Sequence, residues 1–476
     1  MKWKNIILLF LCIAGLLYTA EIQKNNKLPA ADSQQSKESG NGGENRASSG
    51  TTRGEAGQLP TSAGNGTGDS GTESTVQDPQ TAEGTDSDAN TGGNSAAELE
   101  KVIRVLIKTQ DFAGEYHPNL SLTCNSNTST QDGQHSFQAG ETIDLDGSSS
   151  LFDSAGTLKL VPEDESAGFT LNSIKREQGP PTYEGSLEIY RSGEGLLVIN
   201  VLDLETYLKY VVPSEMPSTY EAEALKAQAV CARTYAWKQM QEGALADLHA
   251  DVDDSVSFQV FNNISRQPST DQAVDSTAGQ VMTCDGQPIT AYFFSTSSGS
   301  TSTNEVWSQE PEKYLQCVNS GDLESSEPWY RWNVTLSMDY LNSRIDKYGI
   351  GSLKGIMILK KSGGGAVDEL KLIGSQGEKI LDSEYMIRQV FSTEGIPVTR
   401  QDGTTTTEMS LMPSAYFTCT PVYENNQITG YYFEGGGYGH GVGMSQNGAN
   451  HLASQGKSWQ EILNYFYKEI DLSSIL

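Results

Sequence analysis

Basic side chains are scarce in this sequence: 32 Lys and Arg stand against 61 Asp and Glu, a formal net charge of −29. That deficit argues against nucleic acid or an anionic membrane surface as the main partner, because both are held by clustered cations. It also argues against electrostatic capture of an anionic wall polymer. A neutral sugar face stays open. Cysteine is thin too, six residues with no C-x-x-C pair. Cys12 falls in an apolar N-terminal run, which leaves Cys124, Cys231, Cys284, Cys317 and Cys419, an odd set. A disulfide framework is not expected, though one or two bridges stay open, and isolated buried thiols are the simpler reading. There is no internal repeat, and the lack of regular βαβ alternation argues against a doubly wound parallel sheet.

What is present begins with Met1-Lys2-Trp3-Lys4 and an apolar run from Ile6 to Ala20. Lysines ahead of such a run fit a secretory signal, and they fit a membrane anchor with its positive end inside. Counted from Trp3 to Ile22, the run reaches the roughly 20 residues that a span requires. Tyr18-Thr19-Ala20 is a poor cleavage context, and Phe10-Leu11 before Cys12 is a poor lipobox. We therefore expect an uncleaved anchor over residues 1–22, with a cleaved signal as the alternative. The expected location is the cell membrane, with one N-terminal span and an extracytoplasmic domain, or secretion after cleavage. Residues 23–99 are Gly, Ser, Thr, Asn and acidic residues, which cannot bury enough surface to offset their ordering entropy. They read as a disordered linker with an r.m.s. span of roughly 50 Å.

Residues 100–476 read as one folded domain whose order begins near Val102. Short β-type runs follow one another: 102–107, 158–161, 187–190, 196–201, 280–282, 290–294 and 356–359. Three helices stand out. One spans about 219–241, with Ser218 and Glu221 in a capping-box pattern, Gly243 as its stop and Ala222, Leu225, Ala229, Ala232 and Ala236 at helical spacing. A second starts near Ser445 and ends by Gly456. A third carries Ser458 and Glu461 as another capping box. The fold class is α+β: a strand-rich domain with a long Ala-rich helix and C-terminal helices, preceded by a disordered linker.

Two segments carry chemistry. In Val211-Val212-Pro213-Ser214-Glu215-Met216-Pro217, two prolines bracket one carboxylate in an apolar turn ahead of the long helix. Stiff backbone would aim Glu215, and apolar neighbours would keep its proton on near neutral pH. The N-terminus of the next helix would oppose this, and a Glu at such a place also reads as a plain capping residue. The second segment runs from Gly435 to Gln446 and holds six glycines in nine residues. It satisfies neither G-x-x-x-x-G-K-[ST] nor G-x-G-x-x-G, so a nucleotide site is not expected. An exposed glycine loop with Tyr438 and His440 suits a sugar-binding cleft, and a packed turn with a structural His440 is the other reading.

Together these segments resemble the stage II sporulation protein D family (the SpoIID/LytB domain). The resemblance is carried by Leu202-Asp203-Leu204-Glu205-Thr206-Tyr207-Leu208, by Val211 to Pro217, and by Glu223 to Val230 with Ala232-Arg233-Thr234-Tyr235-Ala236. It resumes at Ser295-Thr296-Ser297, Val306-Trp307 and Gly439-His440-Gly441-Val442-Gly443-Met444-Ser445-Gln446-Asn447-Gly448-Ala449. It runs from about Val102 to the C-terminus and is weakest over 109–185.

The resemblance implies a lytic transglycosylase that cleaves the β-1,4 bond between N-acetylmuramic acid and N-acetylglucosamine without water. The muramic C6 hydroxyl attacks its own anomeric carbon and leaves a 1,6-anhydro end. One carboxyl then serves as acid and afterwards as base, and Glu215 stands at that position. The resemblance also offers Arg233 and Tyr235 as cleft residues, and Ser297, His440, Ser445 and Gln446 as residues that orient or bind sugar. Salt-bridge, packing and helix-cap roles stand beside each of these. The implied partners are peptidoglycan glycan strands stripped of peptide, a cell-wall amidase and the membrane proteins of an engulfment complex, with no nucleic acid and no cofactor. Some members hold zinc with a His and two Cys after the long helix. The corresponding stretch, His249 to Gln259, has no cysteine, so no metal is expected and His249 reads as a surface residue. Ser298-Gly299 replaces a Gly-Gly pair, Phe294 replaces a His, and a sporulation role does not follow automatically. Two other classes stay open: a non-catalytic glycan-binding module that stimulates an amidase, and a scaffold in a membrane complex.

Overall fold

The strand Gly195–Asp203 is apolar on both of its faces, and both are used. Leu196, Val198 and Leu202 enter the large hydrophobic core, whereas Leu197 and Ile199 meet Leu106 and Ala250 in a smaller one. Neighbouring side chains on a strand point to opposite faces, so this segment needs cover on two sides and takes a central place. In the computed structural model, which describes residues 101–476, it is the third strand of seven. Their order is Val252–Asp253, Val102–Leu106, Gly195–Asp203, Ser186–Ser192, Thr157–Pro162, Thr128–Thr130 and Ser136–Phe137. The first two pair parallel and all the others antiparallel. The expected anchor at 1–22 and linker at 23–99 lie outside the described residues. Among the described residues no helix is long and apolar enough to cross a membrane.

The described residues form seven α-helices: α1 Leu204–Glu215, α2 Ala222–Glu242, α3 Pro268–Ser276, α4 Met338–Ile345, α5 Glu384–Val390, α6 Gln446–Ser454 and α7 Trp459–Phe466. The domain is α+β and strand-rich, as expected. Helix α2 is its axle. Ala224, Ala227, Ala229, Ala232 and Ala236 are fully buried, and these small side chains let α1, α3, α6 and α7 all pack against it. Gly243, at φ 61°, ends it. The expected capping box at its start does not form. Glu221 is the N-cap and makes no side-chain cap bond. A tertiary contact takes over: the Glu221 N–H donates to Asn450 Oδ1 of α6 at 2.9 Å. The capping box of α7 does form between Ser458 and Glu461.

A second core fills the region from Trp329 to Tyr438. It lies between a five-stranded sheet (Thr405–Thr406, Val398–Arg400, Trp332–Ser337, Gln427–Gly435, Phe417–Glu424) and a three-stranded one (Leu353–Lys361, Val367–Gly374, Glu378–Leu381). The expected strand at 290–294 shrinks to Phe293–Phe294, which pairs parallel with Met444–Ser445. That short ladder sets the segment around Ser297 beside the glycine-rich segment.

Candidate active site

Glu215 is the last residue of α1, not part of a turn before a helix. The helix starts on the end of the central strand, where the Asp203 carboxylate accepts the N–H groups of Glu205 and Thr206 at 2.9 and 3.1 Å. Pro213 sits in the final turn, and the Met216 N–H closes the helix on Val212 O. This corrects the electrostatics. A helix C-terminus carries partial negative charge, so it disfavours the Glu215 carboxylate instead of stabilising it.

The loop 254–264 wraps this helix end. Asn263 N and Ile264 N both donate to Ser214 Oγ at 3.1 Å, and Val260 N donates to Glu215 Oε1 at 2.6 Å. Glu215 Oε2 makes no hydrogen bond among the described residues, and the side chain is 2% exposed. Burial pushes the carboxyl up to about 7, against the opposing pull of the Val260 N–H. A carboxyl held by one oxygen, with the other unengaged and its proton on near neutrality, can donate that proton and later take one back.

Gln446, the first residue of α6, completes the grip on the acid. Its Nε2 donates to the backbone carbonyl of Glu215 at 3.0 Å. Ser445 is the N-cap of α6 and accepts the Gly448 N–H. Ser297 lies nearby in the chain of contacts: Asn447 N bonds Ser295 O at 3.0 Å, and Asn447 Nδ2 bonds Thr296 Oγ1 at 2.9 Å. Tyr220, just ahead of α2, hydrogen-bonds Asn447 Oδ1. Glu215, Ser445 and Gln446 are thus brought into one network, which Ser297 joins through Glu324.

The glycine segment is buried, not exposed. Its backbone runs against other backbone, and at Gly443 a Cβ would lie 2.0 Å from Tyr292 O. Glycine serves close approach here, not ligand access. His440 is enclosed by Tyr292, Phe294 and Trp307. Its Nε2 faces Phe293 O at 2.9 Å and its Nδ1 accepts the Val442 N–H at 3.1 Å, which fixes one neutral tautomer. Burial, helped by the charge of Arg388, lowers its pKa to about 3. His440 therefore holds the loop and transfers no proton near neutral pH.

Arg233 lies in an ion pair away from Glu215. Its Nε and Nη2 meet the two oxygens of Glu205 at 2.7 and 2.6 Å, and it also bonds Val274 O and Gln280 O. It ties α1, α2 and α3 together. Tyr235 is buried with its ring 6.5 Å from that of Tyr292. His249 is exposed and stacks on Tyr190 at 4.0 Å.

Two contributors gave no signal in the sequence. Val260 acts through a backbone N–H that any residue except proline would supply. Glu324 is a second buried acid, set between two of the expected site residues: Ser297 N donates to its Oε2 at 2.9 Å and Ser445 Oγ lies 2.7 Å from the same oxygen. It sits in Gly321-Asp322-Leu323-Glu324-Ser325-Ser326-Glu327, a stretch that reads as surface loop.

Fold and site together define a class: a strand-rich α+β domain in which a buried acid, with no counter-ion among the described residues, ends the helix ahead of a long alanine-rich one. A family model described as "Stage II sporulation protein" matches residues 192–284, the span of the central strand, α1, α2 and α3. A domain-of-unknown-function model, DUF8618, matches residues 312–443, most of the second core. An uncharacterised protein of Brachyspira hyodysenteriae is 33% identical over 307 residues, covering 64% of this chain and 74% of its own length. Stage II sporulation protein D of Bacillus subtilis is 29% identical over 343 residues, 67% of this chain and 91% of its own. A protein named Amidase enhancer, also from Bacillus subtilis, is 29% identical over 296 residues, 56% of this chain and 40% of its own. The chain belongs to the stage II sporulation protein D family.

Proposed function

We propose that this protein is a peptidoglycan lytic transglycosylase that cuts the β-1,4 bond between N-acetylmuramic acid and N-acetylglucosamine in peptide-stripped glycan, leaving 1,6-anhydro ends. The observation that carries this reading is the state of Glu215: buried, with one oxygen held by Val260 N–H, the other unbonded, and its pKa raised to about 7. Glycosidases that use water or a covalent intermediate need a pair of carboxyl groups at defined separation. Glu215 shares no hydrogen bond with another carboxyl among the described residues. A single group that first protonates the leaving oxygen and then deprotonates the C6 hydroxyl matches one acid with a pKa near 7. Gln446 fixes its backbone and Val260 its side chain, which keeps the carboxyl within reach of both oxygens in turn.

The proposed setting is the outer face of the cell membrane, with an N-terminal anchor and a long tether, in sporulation or cell-wall remodelling. A second reading draws on the relative named Amidase enhancer: the domain binds glycan and stimulates a partner amidase without cutting. Mass spectrometry of peptide-stripped glycan incubated with wild type and with Glu215→Gln separates the two. Anhydro-muramic ends from the wild type alone support cleavage. Amidase stimulation by both proteins, with no sugar release from either, supports the second reading.

A further inference from the structure

Among the described residues Glu324 is as buried as any, and its carboxyl has neither an Arg nor a Lys for a partner there. Oε2 meets Ser297 N and Ser445 Oγ, while Oε1 has no hydrogen bond among the described residues. Oε1 rests on the first turn of α6, where a Cβ at position 448 would lie 2.9 Å away. An ionised carboxylate in this place would leave one charged oxygen bare, which is strongly unfavourable. A neutral carboxyl removes that charge, although Oε1 still has no partner among the described residues. With a carboxylate the Ser445 hydroxyl donates to Glu324 Oε2 at 2.7 Å; with a neutral carboxyl that bond reverses, the Ser445 hydroxyl is released to donate to Ser295 O at 3.3 Å, and Ser445 Oγ still accepts Gly448 N–H at 3.3 Å. The titratable groups facing it are Glu327 on its own segment, His451 of α6, which bonds Glu327 at 2.8 Å, and Tyr465 of α7. Burial pushes the Glu324 carboxyl up to about 7, against the Ser445 and Ser297 hydrogen bonds, and Glu327 pushes the same way as burial.

We propose that Glu324 is a positioning residue for Glu215: as a neutral carboxyl it donates its proton to Ser445, and so locks the Ser297 segment to the α6 start whose next residue, Gln446, holds the acid. The inference rests on the cleavage reading of Glu215. Ionisation of Glu324 turns the Ser445 hydroxyl away from Ser295 O and unlocks one bond of that junction. Cleavage then needs two protons, one on Glu215 for chemistry and one on Glu324 for placement.

The test uses Glu324→Ala and Glu324→Gln in the full chain, with cleavage of peptide-stripped glycan followed from pH 5 to pH 9. Wild type should lose kcat above neutrality with a two-proton dependence. Glu324→Ala should lose about tenfold in kcat with KM within twofold. Glu324→Gln, neutral at every pH, should recover to within about threefold of wild type, with an alkaline limb that depends on one proton only. A two-proton limb in Glu324→Gln, or a Glu324→Ala protein as active as wild type, overturns the proposal. Should Glu324→Ala fail to fold, Glu324→Gln still decides. Should wild type release no sugar at any pH, the cleavage reading fails by itself, and thermal unfolding then decides whether Glu324 is neutral. The drop in Tm between pH 5 and pH 8 should shrink in Glu324→Gln, and an unchanged drop overturns the inference.

Discussion

In the region of the second core, Glu384 is buried beside Arg388 at 3.0 Å on the same helix, with Trp307 Nε1 3.3 Å from its other oxygen. At the end of α1, Glu215 is equally buried and has no cation beside it among the described residues. A carboxylate with a guanidinium one helical turn away has its charge answered locally and can stay ionised inside a protein. A carboxyl without one keeps its proton instead. The first arrangement joins α5 to its surroundings. The second is a stored proton, a poor device for holding a fold together and a good one for acid catalysis. Glu324 belongs with Glu215 in this respect.

The comparison breaks first at Glu215→Gln. Removing the exchangeable proton while keeping shape should cost about 10²–10⁴-fold in sugar release, read as anhydro ends by mass spectrometry, with the protein still folded by circular dichroism. The reverse should hold at the paired acid. Arg388→Met leaves Glu384 buried and unanswered, which should destabilise the protein by about 3–5 kcal/mol in urea unfolding, with activity per folded molecule unchanged.

A smaller effect comes from pH. The pKa of Glu215 is raised on folding from 4.5 to about 7, so the folded state binds the proton more tightly. Its contribution to stability is complete below about pH 4.5 and is lost as pH rises towards 7, on the order of 2–3 kcal/mol over that window. In Glu215→Gln this share of the slope should vanish from urea midpoints at pH 5 and 7.5. The smallest effect calibrates the others. Ser458→Ala removes the cap of α7, which bonds neither Glu215 nor Glu384, and should cost about 1 kcal/mol in the same unfolding experiment, with cleavage untouched.

Much of the scaffold is written locally. The strands at 102–106, 157–162, 186–192 and 195–203 announce themselves by runs of branched and aliphatic side chains, and the Ser458–Glu461 box by its spacing. Helix α1 is hidden because Pro213 reads as a break, although it falls in the last turn, where only the end of the ladder is disturbed. Asp203 was its start signal, visible once the strand before it is known to end there. The glycine segment misleads for a physical reason: glycine in numbers suggests an open loop, yet here it lets buried backbones touch. Glu215 is legible through the residues around it. Glu324 is not, because what makes it unusual comes from Ser297 and Ser445, 27 and 121 positions away.

The bond from Gln446 to the carbonyl of residue 215 spans 231 positions of chain. Contacts of such separation form late, since a long loop must close before they return any free energy. An unfinished or half-folded copy therefore has the acid in its sequence but no seat for it. For a protein proposed to cut the polymer that keeps its own cell from bursting, this delay acts as a safety catch: the blade is set only when the whole tool is assembled.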